Sequence, residues 1–132
     1  MSQSIHVRDA AHSNPIPSAS VVGNLLASSL ITGRDPATGS LPPTFKAQCK
    51  FMFAGVKAVI EAAGGNLSDI VRITIWVEDR HLREEINKVW VAQFPYSNAR
   101  PARLTLNRPL EKGKLVECEI LALIGGGRTS PG

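Results

Sequence analysis

Gly64-Gly65-Asn66-Leu67-Ser68-Asp69-Ile70-Val71-Arg72-Ile73-Thr74-Ile75-Trp76-Val77 is the stretch on which the fold turns. Ile70 to Val77 alternates at the two-residue period of a strand. Val71, Ile73, Ile75 and Val77 fall on one face, and Arg72, Thr74 and Trp76 on the other. The glycine pair in front of it reads as a helix stop, because glycine takes left-handed backbone without a steric penalty. Upstream, Phe45, Cys49, Met52, Phe53, Val56, Val59, Ile60 and Ala63 recur at helical spacing, with Lys46, Lys50, Lys57 and Glu61 opposite. That pattern predicts an amphipathic helix from Thr44 to Ala63. Downstream, Leu82, Ile86, Val89, Trp90 and Phe94 predict a second helix from Arg80 to Phe94. The strand face of Arg72, Thr74 and Trp76 suits a half-covered sheet or a subunit contact.

Further out, a short strand is expected near Ile5–Val7. Asn14-Pro15-Ile16-Pro17 then cannot be helical, because two prolines hold the backbone extended. Ser20 to Ile31 is strand-like with a turn at Gly23-Asn24, which reads as a hairpin. Gly33-Arg34-Asp35-Pro36-Ala37-Thr38-Gly39 is turn chemistry throughout. Beyond the second helix, Arg103-Leu104-Thr105-Leu106-Asn107 alternates, with Leu104 and Leu106 on one face and Arg103, Thr105 and Asn107 on the other. Leu115 to Ala122 alternates too, and Glu117 and Glu119 share a face. Hairpin, helix, strand, helix and two strands make an α+β domain with helices stacked on one sheet face. Residues 1–124 form a single domain in this reading. The tail from Gly125 to Gly132 has no apolar anchor and is expected to lack fixed structure.

A chain of 132 residues that is 43% hydrophobic has enough apolar mass for one ordinary core. No apolar run reaches the ~18 residues of a membrane span, and the polar N-terminus is no secretory signal. Cys49 and Cys118 then read as free thiols in a reducing cytoplasm. The net charge of +4 is concentrated near the C-terminal strands in Arg100, Arg103, Arg108, Lys112 and Lys114, against Glu111, Glu117 and Glu119. For all these cations except Arg103, ordinary solvation is the favoured reading. No aromatic-interleaved basic strand or zinc finger supports nucleic-acid binding.

The histidines His6, His12 and His81 stand at no recognised metal-ligand spacing. No serine sits in a nucleophile elbow. Gly33 and Gly39 precede no Lys-Ser/Thr, and Gly125–Gly127 opens no helix, so neither a phosphate loop nor a dinucleotide fingerprint is present. What remains is a fixed guanidinium with a carboxylate face nearby. Arg103 can grip a small carboxylic acid through two parallel hydrogen bonds. A glutamate can orient or deprotonate water. The plainer alternative, an arginine paired structurally with a nearby acid, is the more frequent of the two on pattern alone.

Pro101-Ala102-Arg103 followed by the Val116–Ala122 strand resembles the C-terminal signature of the RidA family, also called YjgF or L-PSP. Gly23–Ser29 with Asp35–Gly39, Gln48–Gly64, Leu67–Val77 and Asn87–Phe94 are similar to the family's other segments, in the same order, over residues 4 to 124. The resemblance implies a chorismate-mutase-like fold and a homotrimer with a central barrel and a ligand cleft at each subunit interface. It also implies a cofactor-independent imine/enamine deaminase that converts small 2-imino carboxylates to 2-oxo acids and ammonia. By the same resemblance Arg103 binds the substrate carboxylate. Glu117 positions the water, given a turn one residue shorter before the last strand, with Glu119 as the alternative register. Thr105 stands where many members have cysteine, and Asn87 matches an asparagine near the cleft. Two departures redraw the pocket. Leu30 replaces a glycine that follows Ser29, and Ile16 or Pro17 replaces a tyrosine. They favour, as a second reading, a trimer that binds a carboxylate metabolite without turnover. An RNA-cleaving or translation-inhibiting protein is the third. No metal, cofactor or membrane partner is implied.

Overall fold

The computed structural model describes residues 1–7 and 15–125. In chain order these form β1 (Gln3–Ile5), β2 (Ala19–Val22), β3 (Leu25–Ser28), β4 (Ile31–Thr32), α1 (Phe45–Ala62), β5 (Ile70–Val77), α2 (Arg83–Gln93), β6 (Ala102–Asn107) and β7 (Val116–Leu123). The strands make one mixed sheet in the order β1-β2-β3-β7-β5-β6, with β4 beside β3 on the same flank of β7. Among the described strands only β5 and β6 run parallel. A parallel neighbour needs a crossover, and α2 supplies it.

Local chemistry explains each boundary. Gly23 takes a φ of +61°, which closes the β2–β3 turn. The expected long strand up to Ile31 is broken at Ser29-Leu30 into β3 and β4, both paired with β7. At the break the Ser29 N–H donates to Ser18 O at 2.9 Å, and Ser28 Oγ accepts from the Ile120 N–H at 2.8 Å. Thr44 caps α1 by accepting from the Ala47 N–H at 3.2 Å. Gly64, at a φ of +84°, ends it.

Three expectations shift. The first strand lies at Gln3–Ile5, two residues earlier than Ile5–Val7. The second helix opens as a 3₁₀ turn over Arg80–Leu82, because the Asp79 carboxylate accepts from the His81 N–H and tightens that first turn. Val71 does not join the core face. A β-bulge between Ile70 and Arg72 adds one residue against β7, so Ile70 takes the core position and Val71 is exposed. Residues 8–14, His12 among them, and those beyond Gly125 lie outside the described residues.

α1 and α2 both cover one face of the sheet. Ile73, Ile75 and Val77 of β5 and Val116, Cys118, Ile120 and Ala122 of β7 meet Cys49, Met52, Phe53, Val56 and Ile60 of α1 there. Ile86, Trp90 and Phe94 close the core from the α2 side. Gln48, absent from the expected apolar stripe, is also buried. Its amide donates to Pro42 O and Gly113 O and accepts from the Leu115 N–H, so it ties the approach to α1 to the start of β7. Cys49 and Cys118 are buried free thiols. Burial pushes the Cys49 thiol up to about 12 and raises Cys118 as well. The opposite sheet face carries Thr74, Trp76, Leu104, Leu106, Glu117 and Glu119, and no helix of the described residues covers it.

Candidate functional site

β6 is an edge strand whose residues pair with β5 in register, Arg103 with Ile73 and Thr105 with Ile75. Because Ile73 and Ile75 point to the helices, Arg103 and Thr105 point there too. α2 meets them with Arg83, Asn87 and Trp90, which recur at i, i+4 and i+7 and so share one helix face. The Arg103 guanidinium donates to Asn87 Oδ1 at 2.6 Å and lies 5.0 Å from the centre of the Trp90 ring. Arg83 donates to Thr105 O at 3.0 Å. Thus the structure brings together three of the residues named from sequence, Arg103, Thr105 and Asn87.

Electrostatically this cluster has an excess of positive charge. Among the described residues no carboxylate lies within ion-pair distance of Arg103. Burial, and then the neighbouring Arg83, hold the Arg103 guanidinium below its usual value. Both influences are relieved by an anion. The structural pairing of Arg103 with an acid, the plainer reading of the sequence, is not found among the described residues.

Glu117 is elsewhere. It lies on β7 opposite Trp76 of β5 and Thr32 of β4, on the sheet face away from the helices. Its side chain is 7% exposed. Arg108 donates to its Oε1 at 2.6 Å, and Lys114 Nζ lies 3.9 Å from its Oε2. Arg108 in turn sits 4.1 Å above the Trp76 ring. The expectation that Arg108 and Lys114 are simply solvated is therefore corrected, since a buried carboxylate draws both toward it. Arg100 also departs from it by donating to Phe94 O at 2.8 Å. Glu119 lies two residues along the same face as Glu117, opposite Thr74, without an ion-pair partner among the described residues.

Leu30 occupies a third place. It is half exposed and lines a cavity of about 130 Å³ with Ser29, Thr32, Arg34 and Phe51. Neither Arg103 nor Glu117 reaches that cavity. Within one chain the sequence-named residues thus fall into an Arg103–Thr105–Asn87 cluster on the helix side and a Glu117 cluster on the far side of the sheet. Leu30 lies just ahead of β4, whose Thr32 pairs with Glu117. Arg83, Arg108 and Trp76 were not singled out from sequence as site residues. Arg83 shared the Asn87 helix face, and Trp76 and Arg108 become visible only once β5 and β7 are paired. Among the described residues no group of three or more His, Cys, Asp or Glu side chains is placed to hold a metal. No helix of the described residues is long and apolar enough to cross a membrane.

Known proteins share this architecture and sequence. The 2-iminobutanoate/2-iminopropanoate deaminase of Escherichia coli K12 is 34% identical over 104 residues, covering 77% of this chain and 81% of that one. A RutC family protein of Aquifex aeolicus is 35% identical over 92 residues, covering 69% and 74%. The crystal structure of RidA from the Antarctic bacterium Psychrobacter sp. PAMC 21119 superposes with a TM-score of 0.84 at 35% identity, covering 92% of this chain and 99% of that one. The family model described as endoribonuclease L-PSP matches residues 9–124. The chain belongs to the L-PSP family, the RidA/YjgF group of proteins.

Proposed function

We propose that this protein is a cofactor-independent imine deaminase acting on small 2-imino carboxylates in an assembly of three copies. The observation that carries the proposal is Arg103, a half-buried guanidinium with Arg83 beside it and, among the described residues, no acid within ion-pair distance. Such a group takes a substrate carboxylate through its planar fork. Asn87 and Trp90 hold the fork in place, and Thr105 lies on the same row. The named activity of the E. coli relative supports this substrate class.

Glu117 orients the water in this scheme. Because it and Arg103 lie on opposite sheet faces, a complete site needs Arg103 from one subunit and Glu117 from the next. The uncovered face with Leu104 and Leu106 is where a neighbour would pack. Water adds to the protonated imine carbon while Glu117 accepts its proton. The resulting carbinolamine takes that proton back on nitrogen and collapses. One iminium carboxylate and one water leave as one 2-oxo acid and one ammonium ion. The substrate carbon is already electrophilic, so orientation and charge suffice.

The test is ammonia release from imines generated in place by a threonine dehydratase, compared between wild type and Glu117→Gln. The expected result is catalysis by wild type and its loss in the variant. Glu117 is already engaged by Arg108 and Lys114, which favours a second reading, a carboxylate-binding trimer without turnover. Carboxylate binding without ammonia release would select it.

A further inference from the structure

We infer that Arg108 is a positioning residue for Glu117, and that it dictates which carboxylate oxygen faces the water. This deepens the proposed site and rests on Glu117 being its water-orienting group. Nothing in the resemblance pointed to Arg108, and its partners appear only in the folded chain.

The two oxygens of Glu117 are not equivalent. Oε1 accepts a charge-assisted hydrogen bond from Arg108 Nη2 at 2.6 Å. Oε2 accepts none among the described residues, and Lys114 Nζ stands 3.9 Å from it, beyond hydrogen-bond reach. Lys114 is instead nearer Glu111, at 3.3 Å. One oxygen is therefore tied and the other keeps its lone pairs for a water molecule.

Arg108 is itself held from two sides. Its guanidinium carbon lies 4.1 Å from the Trp76 ring centre, a stacking distance for a cation on an aromatic face. Its backbone N–H donates to Val77 O at 3.1 Å, which anchors the chain just past the end of β6. Trp76 and Glu117 are directly opposed in the β5–β7 register. The sheet pairing thus sets both the ring under the guanidinium and the carboxylate in front of it. A side chain locked between two neighbouring strand positions holds its partner to the narrow geometry that water attack requires. Lysine cannot replace it fully, since an ammonium has neither the fork nor the flat face.

The experiment measures kcat and KM for 2-iminobutanoate with wild type, Arg108→Gln, Arg108→Lys, Trp76→Leu, Glu117→Gln and the Arg108→Gln/Glu117→Gln double variant. Melting curves are recorded for each. Arg108→Gln is expected to lower kcat by roughly tenfold or more while KM changes little, because Arg103 still holds the substrate. Arg108→Lys is expected to recover part of the loss. Trp76→Leu, which keeps both charged partners and loosens only the seat, is expected to lower kcat less. The double variant is expected to be no slower than Glu117→Gln alone, since two groups that act as one unit do not lose activity twice. An inactive Glu117→Gln beside a fully active Arg108→Gln would overturn the positioning role and leave the site itself standing. So would losses that multiply in the double variant. Wild type that releases no ammonia, or a fully active Glu117→Gln, would overturn the role of Glu117 and that of Arg108 with it.

Discussion

Arg103 carries a charge into a half-buried place where the neighbouring Arg83 has the same sign. Arg103→Lys keeps the charge but loses the fork, so substrate capture is expected to fall by roughly tenfold or more with the fold unchanged. The check is kcat/KM on generated imines beside a melting curve. Arg103 was legible from sequence because Pro101-Ala102-Arg103 opens an alternating run. Its partners Arg83 and Trp90 were hidden, because helical period does not say which residue of β6 meets which residue of α2; the β5–β6 register decides that. Gln48 was hidden for a related reason. A polar residue inside an apolar helical stripe announces itself only when its three backbone partners are known. Gln48→Ala leaves those buried groups unpaired, and a loss of about 2–4 kcal/mol is expected from urea unfolding. Leu30 is the other informative residue. Leu30→Gly is expected to raise activity toward 2-iminobutanoate, because the branched side chain at the cavity wall is removed. Equal activity in paired assays would place Leu30 outside the substrate path.

At the scale of elements, both helices and the long strands were readable from period alone. α1 and β5 lie within a residue or so of their expected bounds. The misses share a cause. Val71 looked like a core residue because strict alternation assumes an unbroken ladder, and one inserted residue reverses the facing ahead of it. The break between β3 and β4 was missed because both halves are strand-like and only the serine hydrogen bonds separate them. Gly33 shows how closely α1 approaches the turn after β4. A Cβ there would collide with Gln48 O and lie 2.7 Å from Gln48 Cα, and helix backbone cannot yield. Gly33→Ala is therefore expected to destabilise the protein by about 1–3 kcal/mol, measured by urea unfolding. The buried thiols of α1 and β7 give a pH dependence. Their folded values are raised above the unfolded value of 9.0. Their contribution to stability is thus complete below that value and is lost as pH rises through the raised folded values. Each thiol is expected to remove about 1.4 kcal/mol per pH unit in that window. A Cys49→Ala/Cys118→Ala variant should show a flatter decline above pH 9 than wild type.

At the scale of the whole molecule, neither cluster makes the proposed site alone. One chain separates Arg103 from Glu117 by the thickness of its sheet, so the proposed reaction requires the two groups to come from neighbouring subunits of the proposed ring. Light scattering should give three times the 14.2 kDa chain mass. The assembly was implied by resemblance and not by period, since an exposed leucine on a strand says nothing of what covers it. The most direct measurement mixes subunits of Arg103→Ala, which lacks the carboxylate clamp altogether, and Glu117→Gln, by joint unfolding and refolding at equal amounts. In a ring whose sites combine neighbours, one arrangement of each adjacent pair restores both groups. About a quarter of wild-type ammonia release is then expected from random mixing. A mixture as inactive as its two parents would mean that Arg103 and Glu117 must come from one chain, and would contradict the shared site.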